Sequence, residues 1–536
     1  MQGFRNRLWV LPCHRCQRRQ LIQLPHILPQ QVRPRRLRDA PQLPGDGVEG
    51  TAVGQEDHHS RQGLSWGAQR EVARNVETPQ TVAVCPWCGA PGRTAWGTCL
   101  ACGRYYLAEG WARIPRSKPS LLGWIAVCLG AVAVLFAGIN YPFLPDPITL
   151  LFKRPTTTLS SNSASNHWAM WGMDLQQRRY VADAPRQLEG RRMWSVDLGT
   201  PTRSVPVIVD DIIYIGGDFR LIALDAHTGR LRWEIPTTGP VHMSPAVAGH
   251  HLYIGLQDWR VLALDRGTGK ILWEFTMQDS VSGSASVAKG IVYIGSMDGF
   301  LYALDAATGQ LIWKFKTQEH PLSPPAIDDT TLFLSSTDRS LYALNARTGQ
   351  VRLRYRTPDH LQDSPVVANG LVYFPSGGQI YAVETGAREI PGQYQLLQVW
   401  AQFWMWQFPI PRPPGQPGGK WRFSSRPLPH RIVSAPAVAP EAFYVGDANG
   451  YLYARDALKG EELWKFKAGG PIMASPTIIG ARVYFGALDG FLYALDRPHG
   501  ALLWKLALGE PIRATPVVAS GRLYIRTRDG RLHAIE

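Results

Sequence analysis

Two cysteine pairs, Cys85-Pro86-Trp87-Cys88 and Cys99-Leu100-Ala101-Cys102, have the residue types and spacing best suited to chemistry in this sequence. Ten residues separate the pairs, and each is followed by glycine, Gly89 and Gly103. Such turns let four thiolates converge tetrahedrally on one ion. A soft, all-sulfur donor set with no position left for water selects Zn²⁺ in a structural role. The spacing therefore predicts a zinc ribbon over residues 81–112, with Cys85, Cys88, Cys99 and Cys102 as ligands. Two redox dithiols are the alternative, but those need a thioredoxin-like βαβ surround that so short a stretch cannot build. Cys13-His14-Arg15-Cys16 has no second half nearby and reads as two unpaired thiols.

The elements around these cysteines suggest a membrane protein with a cytoplasmic N-terminus. Residues 1–80 are rich in Arg, Gln and Pro without helical or strand periodicity, so a disordered tail is expected. Leu121 to Ile139, LLGWIAVCLGAVAVLFAGI, carries no charge. At 1.5 Å per residue it covers about 28 Å, enough for a hydrocarbon core, so 119–141 is predicted to be a single transmembrane helix. Arg113, Arg116 and Lys118 precede it, which places the ribbon in the cytoplasm and whatever follows outside. All seven cysteines lie at or before Cys128, consistent with thiols in a reducing compartment. Residues 142–190 are a linker and lead-in, with TTTLSSNSASN expected as a flexible polar tether. The net charge of +15 is concentrated at the start: residues 1–118 hold seventeen Lys and Arg against eight Asp and Glu. No basic run interleaved with aromatics follows, so a nucleic-acid partner is not indicated.

From 191 to 536 the chain repeats with a period of 40. A Ser-Pro step marks the register at Pro206, Pro245, Ala285 (for Pro), Pro325, Pro365, Pro436, Pro476 and Pro516. Each unit holds short runs rich in Val, Ile, Tyr and Leu, separated by D-G or N-G and by D-x-x-T-G turns, as in Val281 to Phe315. Units that cannot bury a face alone must stack, and radial stacking gives a β-propeller. The last unit lacks its tryptophan strand. That strand appears at the other end, as Met193 to Val196, twelve residues before Pro206, the same offset as Trp233 to Pro245. The prediction is an all-β, eight-bladed propeller of four-stranded blades closed by its own first strand. Trp194, Trp233, Trp273, Trp313, Trp421, Trp464 and Trp504 are read as packing between blades. One insertion, 387–420, carries Trp400, Phe403, Trp404 and Trp406, a candidate contact for a partner or a membrane, or a loop folded back on its own blade.

Units reading SPAVxxxxxYxGxxDGxLYALDxxTGxxxWxF resemble the pyrroloquinoline-quinone (PQQ)-type propeller repeat of quinoprotein alcohol dehydrogenases and of the outer-membrane assembly lipoprotein BamB. Trp168 to Asp174 resembles the lead-in of such propellers. The dehydrogenase resemblance implies a quinone in the central channel beside an adjacent-cysteine disulfide, a Ca²⁺ cage and a catalytic Asp. No cysteine follows Cys128 and there is no CxxCH haem motif. The channel-facing residues expected from strand one, Ser244, Ser284, Ser364, Ser475 and Thr515, are small and neutral. The leading expectation is thus a non-catalytic, membrane-anchored scaffold for envelope proteins. The alternatives are a PQQ-dependent oxidoreductase and a ligand-sensing receptor. A BamB-like role is qualified by the lack of a lipobox cysteine.

Overall fold

The computed structural model describes residues 85, 88–91, 99–102, 121–139, 149, 151–161, 167–182, 187–199 and, apart from 322, 362, 425–431 and 433, all of 204–536. The chain divides into two compact units, 1–114 and 115–536. The tail expected over 1–80, with Cys13 and Cys16, lies outside the described residues.

In the second unit eight sheets each contain four antiparallel strands, in sequence order except in the last, where the N-terminal strand takes the outer place; one sheet carries a fifth, parallel strand. Blade 3 is representative: Ser286–Ala288, Ile291–Gly295, Phe300–Asp305 and Leu311–Lys316. First strands of neighbouring blades touch one another, and Val207–Val209 of blade 1 touches Val517–Ala519 of blade 8. The first strands therefore ring the axis. They are almost wholly buried, whereas outer strands such as Leu231–Pro236 alternate between exposed and half-buried residues. Turn chemistry fixes the hairpins. Asp298 accepts the Phe300 N–H (2.8 Å) and the Tyr302 hydroxyl (2.6 Å), and Asp305 accepts the Thr308 N–H (2.9 Å).

The ring closes as the sequence predicts. Arg192–Asp197 pairs antiparallel with Arg531–Ile535, Trp194 opposite Ala534 and Val196 opposite Leu532. This seam holds a buried base. His533 faces Ser195, and its Nε2 lies 3.1 Å from Thr527 Oγ1. Burial, reinforced by the charge of Arg192, lowers it from 6.5 to about 4 against the pull of Asp529. The unfolded chain takes up that proton near 6.5, so the stability supported by neutral His533 is complete above pH 6.5. It is lost as pH falls through this window to about 4, a loss of about 3 kcal/mol. His533→Gln should flatten this part of the urea-midpoint profile; an unchanged acid slope would contradict the assignment.

Six of the eight blades are latched to the next by an indole N–H, the exceptions being blade 1, whose Trp233 Nε1 has no partner, and blade 4, which has Leu353. Trp273 Nε1 donates to Ala306 O (3.0 Å), Trp313 to Ala346 O (3.2 Å) and Trp464 to Arg497 O (2.9 Å). A second-strand tyrosine often shares the acceptor, as Tyr253 (2.9 Å) and Tyr293 (2.9 Å) do. The indole lies over the glycine of the neighbouring D-x-x-T-G turn. A Cβ on Gly309 would stand 2.6 Å from the Trp273 ring, and Gly309 also has φ of +73°, so glycine is required twice over. At the seam Leu188 O receives Trp504 Nε1 (3.0 Å) and Gly190 lies under that ring, so residues before the first blade stand in for the missing turn.

The junction from blade 4 to blade 5 has Leu353 where the other outer strands have tryptophan. Here the insertion takes over. Glu389 N–H donates to Arg352 O (2.8 Å), Arg354 N–H to Glu389 (3.1 Å), and Gln416 both accepts from and donates to the Arg356 backbone (2.7 Å each). The chain between Gln379–Glu384 and Gly419–Ser424 includes one helix, Gln393–Met405. Numbering the helices in chain order, this is α2 and Leu121–Ile139 is α1. In α1 the described side chains run from 123 to 134, and Trp124, Val127, Leu129, Val132 and Val134 are all more than half exposed. Those described side chains cover twelve residues, and over the described residues no helix is long and apolar enough to cross a membrane.

The polar stretch expected as a tether is in part fastened to blade 3. Thr156 donates to Asp305 from its N–H (2.6 Å) and hydroxyl (2.9 Å), Ser161 N–H donates to Val287 O (2.9 Å), and Gly290 N–H donates to Leu159 O (2.6 Å). Any Cβ on Gly290 would collide with the Thr157 carbonyl. Composition suggested a free linker because Thr and Ser have no apolar demand. It could not show that their hydroxyls and carbonyls match the exposed backbone of one blade.

Candidate functional site

Two places in the molecule concentrate chemistry. In the first unit, the Sγ atoms of Cys85, Cys88, Cys99 and Cys102 all lie within 4.8 Å of one another. The Gly89 N–H donates to Cys85 O (2.9 Å), closing the first knuckle with Gly89 at positive φ. Cys85 and Cys102 sulfurs are 3.8 Å apart, Cys88 and Cys99 3.6 Å. A tetrahedron with metal–sulfur distances of about 2.3 Å has edges of about 3.8 Å, so the donor set fits a Zn²⁺-sized ion. Backbone N–H groups of Cys102 and Ala101 lower the Cys99 thiol, while Cys88 is raised, the pull of the Ala90 backbone being outweighed by the neighbouring thiols and burial.

The second place is the bore, and it is filled by the chain itself. Residues 168–181 run along the inner wall and bond the first strands of blades 1, 2, 4, 5, 6 and 7. Trp168 exchanges both backbone bonds with Ile208 of blade 1 (2.7 and 2.9 Å). Val247 N–H donates to Ala169 O, Ile327 to Leu175 O, Val367 to Gln176 O, Val438 to Arg178 O and Ile478 to Arg179 O, at 2.6–3.0 Å. Tyr180–Val181 then pairs parallel with Thr477–Ile479 as a fifth strand of blade 7. The physical demand is plain. Each inner strand has a free edge of N–H and C=O groups, and buried backbone groups must find partners. The winding path places Met173, Gln177 and Arg179 at positive φ, a cost that the surrounding bonds hold in place.

Charge is buried with this segment. Arg179 is fully buried, donating to Gln177 O (2.9 Å) and Ser364 Oγ (3.2 Å); burial lowers its pKa, while Asp363 and Asp174 counter that. Asp363 accepts the N–H groups of Ser364 (2.7 Å) and Ala435 (2.7 Å); burial raises its carboxyl, and Arg179 pulls it back. Asp174 is bound to Arg178 (2.7 Å). The small hydroxyls expected to line an open channel are instead buried. Val205 N–H donates to Ser244 (2.8 Å), Ser244 N–H to Ser284 (2.9 Å), and Ser364 receives Trp171 Nε1 (3.3 Å). Ser475 and Thr515 are also buried.

The polar groups of this segment are largely engaged with one another. Both carboxylates are engaged, and the buried unpartnered atoms of the segment are an indole N–H (Trp168), a guanidinium N–H (Arg179) and one amide oxygen (Gln177). The sequence did carry a signal for the charged pair. Two residues before the register proline the other blades have Ser, Met, Gly or Ala, and only blade 5 has a charge, Asp363.

Trp400, Phe403, Trp404 and Trp406 lie on or just past α2, more than a third exposed, so the structure brings these four together and away from any core.

The sequence matches the family model PQQ_2, described as outer membrane protein assembly factor BamB, over 180–314, 257–389, 297–468, 398–497 and 448–536. No curated protein matches it significantly. Among solved structures it is similar to BamB from Moraxella catarrhalis (18% identity, TM-score 0.50, covering 64% of this chain and 96% of that one). It is also similar to the quinohemoprotein alcohol dehydrogenase from Comamonas testosteroni (16%, 0.54, 76% and 84%) and to a europium-containing methanol dehydrogenase (15%, 0.53, 68% and 90%). At such identities these likenesses speak for the fold. Eight blades in register, a closing first strand and a family match over most of the ring lead to one assignment: the chain belongs to the PQQ_2 family of propeller-repeat proteins.

Proposed function

We propose that this protein is a membrane-anchored, non-catalytic propeller that serves as a scaffold for envelope proteins, with α1 as its single span, the ring outside and the cysteine unit in the cytoplasm. The observation that carries this reading is the bore, whose inner edges are bonded by 168–181. A propeller with its axis filled has its rim and faces left for binding. The uncharged length of Leu121–Ile139 and the outward-facing apolar side chains of α1 support the anchor. Arg113, Arg116 and Lys118 support the orientation. The family description and the likeness to BamB favour assembly partners over small substrates. The competing reading, a PQQ-dependent oxidoreductase, draws on the dehydrogenase likenesses. Full-length protein incubated with PQQ and Ca²⁺ should retain no chromophore and catalyse no dye-linked alcohol oxidation, and should capture envelope proteins from membrane extracts. Retained quinone with turnover would sink the scaffold reading.

Zn²⁺ held by Cys85, Cys88, Cys99 and Cys102 would fix the fold of the first unit, its chemistry there being structural. The purified protein should contain about one Zn per chain. Cys88→Ser with Cys102→Ser should abolish it while leaving the melting of the ring unchanged. Retention of metal by that variant would contradict the assignment.

A further inference from the structure

Helix α2 is firmly mounted yet uncovered. Tyr394 receives a hydrogen bond from Arg356 (2.8 Å), and the legs of the insertion are stitched to blade 4 through Glu389 and Gln416. No residue of the helix is buried. Leu396, Val399, Trp400, Phe403 and Trp404 recur at i, i+3, i+4, i+7 and i+8, one continuous apolar stripe, and are 36–70% exposed. Trp406 and Phe408 extend it past the last turn, Phe408 meeting Phe403 edge-on with centroids 5.2 Å apart. The other face presents Gln395, Gln398 and Gln402.

We infer that α2 lies in the headgroup region of a bilayer containing anionic lipid, with this stripe turned towards the acyl chains. Charge is the first reason. From 390 to 440 the sequence has five Lys and Arg and no Asp or Glu; Lys420 is paired with Glu384 (2.7 Å), but Arg412 lies beside the stripe, 6.0 Å from the Trp404 ring centre, and this balance attracts anionic headgroups. Composition is the second, since Trp beside Leu, Val and Phe on a helix without charge is what an interface between water and hydrocarbon accommodates. Shape is the third. The apolar surface broadens beyond the helix through Trp406 and Phe408, a breadth suited to a sheet of lipid more than to the single ridge that fills a protein groove. A membrane is also within reach. The residues between Ile139 and Thr156, where the chain fastens to blade 3, span at most about 55 Å. That last point rests on the proposed span of α1; the first three do not.

The test uses the full chain with Phe403 or Gln398 replaced by benzoylphenylalanine. Each is reconstituted in vesicles of phosphatidylethanolamine and phosphatidylglycerol, or of phosphatidylcholine alone, then irradiated and analysed by mass spectrometry. Position 403 should give lipid adducts several-fold above position 398, and more with phosphatidylglycerol than without it. Adducts at 403 confined to protein, whether a partner or a second copy, would overturn the inference, as would equal lipid labelling at both positions. Alkaline extraction of the same vesicles reads α1 separately. Protein that is extracted but labels lipid at 403 loses its span and keeps its interfacial helix; protein that is retained without lipid labelling does the reverse.

Discussion

Trp313→Ala should lower the stability of the ring by about 3–5 kcal/mol in urea denaturation, because it empties a buried aromatic site that neighbouring blades cannot collapse into. Trp313 is only 5% exposed. Its indole covers Gly349 of blade 4, its Nε1 donates to Ala346 O, and its ring meets Tyr293 at 5.8 Å between centroids. The substitution thus removes packing and leaves Ala346 O with only the Tyr293 hydroxyl, a bond within blade reach but without its partner donor. Trp233→Ala provides the contrast. That indole is half-buried and its Nε1 has no hydrogen-bond partner, so its loss should be smaller. An unchanged midpoint for Trp313→Ala would remove the latch from the account.

Arg179→Met should cost about 3 kcal/mol at neutral pH, since it removes two buried hydrogen bonds, to Gln177 O and Ser364 Oγ, and the positive charge that acts on Asp363. The pH dependence is diagnostic. Burial already raises the Asp363 carboxyl, and loss of Arg179 removes the main influence lowering it. An acid whose folded pKa lies above its unfolded value contributes a penalty that grows as pH rises past the unfolded value. The defect should therefore shrink towards pH 4, and Asp363→Asn in the same chain should recover part of the loss. A neutral effect at every pH would show that the guanidinium does not neutralise Asp363.

The ring was legible because its instructions are local and repeated. Asp305 with Gly309 builds the same turn as Asp265 with Gly269, and the offset from Met193-Trp194 to Pro206 repeats that from Trp233 to Pro245, so closure followed from counting. The bore was not legible. Residues 168–181 occur once, have no period, and bond the first strands largely through backbone atoms, which leave no mark on side-chain type. The lead-in resemblance located Trp168 to Asp174 without saying where it goes. Ser244, Ser284 and Ser364 are ambiguous in sequence because small hydroxyls near an axis serve equally to line a cavity or to bond a neighbouring blade. Only the three-dimensional register, in which each lies beside a backbone N–H or the Arg179 and Trp171 side chains, separates the two. The cysteine cluster shows the opposite case, where spacing alone brought four sulfurs together.

Amide hydrogen exchange at the inner strands tests the filled axis most directly. In the full-length protein the N–H groups of Val247, Ile327, Val367, Val438 and Ile478 should exchange as slowly as the central strands of their blades. Deletion of 168–181 should make these five amides exchange fast while Leu301 and Leu341, in third strands, stay protected. Rapid exchange of the five in the intact chain would mean an open channel, and the scaffold reading would lose its main support.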